Sequence, residues 1–127
     1  MNAEHTVETL VDRMNELDWQ GVYALLDENV KVHNMPLPPL EGLPAVREFY
    51  DGVAPAITAC DWQMLHIVSH GGLVLTERLD NFVMAGKEIS LPVMGTFQVS
   101  DADKIVAWRD YFDLKCFESQ LGGPLGG

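Results

Sequence analysis

The chain is short of cysteine, short of basic residues, and has no long apolar run. Each shortage excludes something. Its two cysteines, Cys60 and Cys116, lie far apart and form no C-x-x-C pair. That removes a zinc ribbon and a dense disulfide scaffold, and leaves two lone thiols in a reduced compartment as the expected state. Only 8 Lys and Arg stand against 19 Asp and Glu, a formal net charge of -11. Such a surface is a poor match for nucleic acid or an anionic membrane. No apolar run approaches the roughly 20 residues that span a bilayer. The opening MNAEHTVETLVDRMNELDW is charged and periodic rather than signal-like. A cytoplasmic protein is the expectation. There is no G-x-S-x-G elbow, P-loop or G-x-G-x-x-G turn.

What is present fits one globular domain over residues 1–127, with 47% apolar and 21% charged residues. Val7, Leu10, Val11, Met14 and Leu17 fall at helical spacing, which predicts an amphipathic helix over about 4–18. Trp19, Val22, Tyr23 and Leu26 predict a second, short helix. Residues 29–34 read as a strand, followed by the proline-stiffened MPLPPLEG loop. Gly42 and Pro44 open a third helix with Val46, Phe49, Tyr50 and Val53 as its stripe. Residues 61–70, 73–84, 88–99 and 104–113 then read as a meander of hairpins, divided at Gly71-Gly72, Gly86-Lys87 and residues 101–103. The glycine-rich tail ESQLGGPLGG is expected to be a turn and a loose end. The fold class is α+β, with helices packed on one face of a curved sheet.

Strand parity singles out the polar residues that interrupt apolar faces. In TERLDNF, Thr76, Arg78, Asp80 and Phe82 share a face with Val74. Asp110 shares one with Val106, Trp108 and Phe112, and Asn34 shares one with Val30 and Val32. Buried charges need partners, so these faces either meet or are solvated. If they meet, one arginine lies between two aspartates in an apolar pocket. The two acids then share a proton and titrate as a pair, giving a general acid and a general base without a metal. The alternative is a structural ion pair between Arg78 and Asp80, with Asp110 paired to Arg109 or Lys115. Met64, Leu91, Met94 and Trp108 are the candidate pocket wall. His66 and His70 would lie roughly 13 Å apart on a strand, too far for one metal.

TERLD (76–80), NMPLPP (34–39) and AWRDYFDL (107–114) together resemble the limonene-1,2-epoxide hydrolase family, in order and at similar spacing. The resemblance implies a cone-shaped α+β roll of the nuclear-transport-factor-2-like kind, a homodimer, and a reaction without cofactor or covalent intermediate. By position, Asp80 would be the general acid, Asp110 the base acting on water, and Arg78 the bridge between them. Asn34 would help Asp110 hold the water. The family pattern has a tyrosine two residues before the asparagine, where this chain has Val32. Tyr50 or His33 could replace it, the hydrolase could be slower, or a substrate hydroxyl could replace water, as in an epoxide-opening cyclase or isomerase. A non-catalytic apolar-ligand-binding protein is the reading from another class.

Overall fold

A computed structural model describes residues 2–123. Helix α1 (Ala3–Asn15) starts where the Asn2 side chain accepts a hydrogen bond from the His5 backbone N–H, at 2.8 Å. Val7, Leu10, Val11 and Met14 are its buried stripe. It stops short of the expected 18 because Leu17 adopts φ +56°, which no right-handed helix can include. Helix α2 (Trp19–Ala24) is capped by Asp18. Strand β1 (Leu26–Asn34), a two-residue β2 (Leu40–Glu41) and α3 (Leu43–Val53) follow. A 3-10 turn (Ala54–Ala56) then leads into β3 (Ile57–His70), β4 (Leu73–Met84), β5 (Lys87–Val99) and β6 (Ile105–Tyr111).

The tail departs from expectation. Residues 114–121 form a further helix, α4 (Leu114–Leu121). The Asp113 carboxylate accepts from the Lys115 and Cys116 backbone N–H groups, and Gly122 closes the helix at φ +95°. Cys116, Phe117 and Leu121 are the apolar side that packs over Ile89, Leu91 and Val93 of β5. The glycines mark the end of a helix here. Residues 124–127 of the expected loose end lie outside the described residues.

The six strands form one mixed sheet in the order β2-β1-β6-β5-β4-β3. The meander of β3 to β6 is antiparallel throughout, and β1 pairs parallel to β6. That crossover pairing puts Asp110 beside Asn34 and, on the other side, beside Gly95, which itself pairs with Thr76. Four residues from four strands therefore form one row across the sheet.

Bulges in the sheet decide which side chains face the core, two of them against strict alternation near the site. In β3 the register slips at Leu65, so Trp62 and Met64 face inward before it and Ile67 after it. In β6 it slips at Val106. Strict parity assigned Val106 to the Trp108 face; the bulge puts Ile105 there instead, fully buried. The inner face of the sheet and the helices enclose a core that includes Val7, Leu10, Tyr23, Phe97 and Trp108. Among the described residues, no helix is long and apolar enough to cross a membrane.

Candidate active site

The row across the sheet explains how an arginine on β4 reaches an aspartate on β6, two strands away. Arg78 points inward from β4, two residues along from Thr76. The strand between, β5, offers a glycine at the crossing point. A Cβ on Gly95 would lie 2.5 Å from Arg78 Nη1 and 2.6 Å from Asp110 Oδ1. The missing side chain is the space the guanidinium occupies.

Arg78 uses that space to hold both acids. Its Nε and Nη2 donate to Asp80 Oδ1 and Oδ2 at 3.0 and 2.9 Å. Its Nη1 and Nη2 donate to Asp110 Oδ1 and Oδ2 at 3.2 and 2.9 Å. Nη1 also reaches the Thr76 hydroxyl at 3.1 Å, which donates onward to the Gly95 carbonyl. The ring of Trp62 covers the guanidinium, with Cζ 4.7 Å from the centroid. Trp62 is itself pinned through its backbone by the Asn15 amide in both directions. Arg78, Asp80 and Asp110 are 1, 3 and 5% exposed, so this is a buried triad, not a surface ion pair. The alternative pairing of Asp110 with Arg109 or Lys115 does not occur.

A buried cation between two buried carboxylates cannot neutralise both. Burial pushes the Asp80 carboxyl up to about 6, against the two hydrogen bonds and the charge of Arg78, with the Asp110 charge adding to the rise. Burial also works against the Arg78 charge, but the two aspartates outweigh it and hold its pKa above the ordinary value. Arg78 therefore stays charged, and Asp80 keeps a proton to higher pH than an exposed aspartate would.

Both carboxylates face a cavity of about 600 Å³ with a mainly apolar wall. Leu37, Phe49, Phe82, Leu91, Phe112 and Phe117 are among its lining residues, so α3, α4 and the proline loop all contribute. Asn34 and Tyr50 supply further polar groups. Burial pushes the Tyr50 hydroxyl up to about 12, with a hydrogen bond from the Asn34 side chain acting in the other direction. Cys60 also lines the cavity; burial pushes its thiol up to about 12, so it is neutral.

All four expected site residues thus meet. The wall fares less well. Leu91 lines the cavity, and Trp108 stands behind Asp110, its indole N–H donating to Asp110 Oδ1 at 2.9 Å. Met94 lies on the outer face, half exposed, because β5 turns its even-numbered residues outward. Met64 lines a separate groove beneath α1. Val32, expected inside the pocket, is sealed in the core at 1% exposure. His33 is occupied elsewhere, its Nε2 2.9 Å from the Leu37 carbonyl oxygen. Sequence reading missed Gly95, Trp62 and the role of Trp108. A glycine inside the otherwise strand-like LPVMGTF was the available signal for the first; nothing local marked the other two.

A family model described as limonene-1,2-epoxide hydrolase catalytic domain matches residues 1–121. Epoxide hydrolase EphG of Mycobacterium tuberculosis is 42% identical over 48 residues, which is 38% of this chain and 32% of that protein. The match thus spans about a third of that relative's length. The structure of an M. tuberculosis LEH-like epoxide hydrolase superposes with a TM-score of 0.82 at 25% identity, over 95% of this chain and 90% of that one. A SnoaL-like polyketide cyclase of Shewanella denitrificans, so described, gives a TM-score of 0.83 at 14% identity, over 94% of this chain and 96% of that one. At that identity the likeness shows the fold alone.

Proposed function

Because this chain belongs to the limonene-1,2-epoxide hydrolase family, we propose that it adds water to a small apolar epoxide in one step, giving a vicinal diol. The observation that carries this reading is one guanidinium bonded to two carboxylates at the edge of an apolar cavity. The epoxide lies in the cavity with its oxygen toward protonated Asp80. Asp80 gives that oxygen its proton as the C–O bond breaks. Asp110, ionised, takes a proton from water as the water oxygen bonds to the ring carbon. After product leaves, one proton has moved from Asp80 to Asp110 by way of substrate and water. The pair is reset when Asp110 releases that proton to water and Asp80 takes one up, with Arg78 charged throughout. No covalent enzyme intermediate arises.

Asn34 stands beside Asp110 in the sheet, and in this reading the two hold the water, with Tyr50 as the third group. Tyr50 replaces what Val32 lacks, coming from α3 rather than from β1. Tyr50→Phe should lower kcat roughly fivefold with KM little changed, the effect of losing about 1 kcal/mol of hydrogen bonding in the transition state. An unchanged kcat would remove Tyr50 from the water site.

Turnover in heavy-oxygen water tests the reaction itself. Each diol should carry one solvent oxygen. A product free of label would point to a substrate hydroxyl as nucleophile, and so to a cyclase or isomerase.

The reading includes a homodimer built on the outer face of the sheet. Leu65, Val68, Leu73, Leu75, Met94 and Tyr111 are exposed there, an unusual concentration of apolar groups on a chain this acidic. A second copy of this chain would cover them. Sedimentation should show a dimer for the native protein and a monomer for Leu75→Asp. A native monomer would end this part of the proposal.

A further inference from the structure

Arg78 treats its two partners almost alike, with two hydrogen bonds to each. A symmetric clamp cannot decide which carboxyl keeps the proton, yet an acid–base pair needs that decision made before substrate arrives. The neighbours of the two acids can be taken element by element. From β4 come Arg78 and Thr76, and from β1 the uncharged amide of Asn34. Helix α3 supplies the Tyr50 hydroxyl and β3 the Cys60 thiol, both neutral, with the Trp62 ring over the guanidinium. At the crossing, β5 supplies only Gly95. One direct donor breaks the symmetry: the Trp108 indole N–H, on Asp110 alone.

That donor is well fixed. Trp108 is 1% exposed and stacks on Phe97 at 5.5 Å and Tyr50 at 6.4 Å, with Trp62 set edgewise against it. It cannot swing away, and an indole nitrogen only donates. A proton placed on Asp110 Oδ1 would set a donor against a donor in a dry site.

We propose that Trp108 is a positioning residue that acts through Asp110: its indole N–H holds the negative charge there and so leaves the shared proton on Asp80. This deepens the hydrolase reading, since it fixes which acid gives and which takes. The placement of the proton, however, exists without substrate.

The test uses the ligand-free protein with carbon-13-labelled aspartate carboxyls, assigned through Asp80→Asn and Asp110→Asn. Two variants remove the N–H. Trp108→Phe keeps an aromatic ring. Site-specific replacement by benzothienylalanine keeps the full bicycle with sulfur in place of N–H, so the experiment survives if the smaller ring does not fold. Near pH 5 the native Asp80 carbon should report a carboxylic acid and the Asp110 carbon a carboxylate. Losing a hydrogen bond to a charged acceptor should shift the ratio of the two forms roughly ten- to hundredfold toward protonated Asp110. Both carbon signals would then move toward each other, and the acid limb of the kcat/KM profile would move toward neutral pH. Unmoved carbons in the benzothienyl protein would reduce Trp108 to a packing residue and overturn the proposal, whatever happened to the rate. Shifted carbons in a protein that turns over no epoxide would instead leave the proposal standing and count against the hydrolase reading.

Discussion

Asp80→Asn and Asp110→Asn should each lower turnover by about 10²- to 10⁴-fold, the range a general acid or base contributes. In barrier terms that is roughly 3–5 kcal/mol. The two fail for different reasons. An asparagine at position 110 still accepts from Arg78 and Trp108, but it cannot take a proton from water. At position 80 it sits where Asp80 sits and has no acidic proton to give. Because both are close to isosteric with aspartate, the apolar cavity should persist, and an inert substrate analogue should still bind. The pH profile of the native protein follows from the same pair. Rate should fall as pH rises through about 6, where Asp80 loses its proton. A flat profile, or either variant retaining native turnover, would dismantle the acid–base assignment. Ligand affinity retained beside an absence of any native turnover would favour a binding protein.

Gly95→Ala should be nearly as damaging to turnover, through a residue that carries no chemistry. The added methyl would meet Arg78 Nη1, Asp110 Oδ1 and Thr76 Oγ1, all at 2.9 Å or less. Side-chain ends can usually give way, but here the guanidinium is sealed under Trp62 and bonded to both acids and a hydroxyl. It must move, and a displacement of about 1 Å at such a centre costs on the order of 10²-fold in rate. Stability should fall by about 1–3 kcal/mol, the ordinary cost of overpacking. Gly95 has no positive φ among the backbone angles that would demand glycine, so alanine strains the site and not the chain. Thermal unfolding with kcat measured alongside separates the two effects. Native turnover in this variant would mean that the triad is looser than its hydrogen bonds describe.

The order of the elements and the triad were legible because they rest on local alternation. Val74, Thr76, Arg78, Asp80 and Phe82 needed nothing beyond a regular strand to share a face. Where the strand was irregular the reading failed: the bulge at Val106 changed the partner face of Ile105, and strict alternation has no way to anticipate an inserted residue. Met94 was misplaced for a related reason, since a residue flanked by valine and glycine shows no sidedness of its own. Helix α4 was hidden because its closing glycines dominated the composition, although Asp113 was a legible cap. The pairing of β1 with β6 brings Asn34 to Asp110 across 76 positions of sequence. No local pattern specifies such a contact; the interrupted apolar faces only allowed it, and the motif resemblance added the role of Asn34 beside Asp110.

The account rests on Asp80 holding a proton that an exposed aspartate would have lost. Comparing the unfolding free energy of the native protein with that of Asp80→Asn, from pH 4 to 8, tests this most directly. Folding raises the Asp80 pKa from 3.8 to about 6, so between those values the folded state binds more protons than the unfolded one. Native stability must then fall as pH rises through that window, by roughly 3 kcal/mol in all. Asparagine has no such titration, so the variant should match the native protein near pH 4 and exceed it by that amount above about pH 6.5. A native protein that instead gains on the variant as pH rises would show that Arg78 holds Asp80 ionised, with no proton there to give.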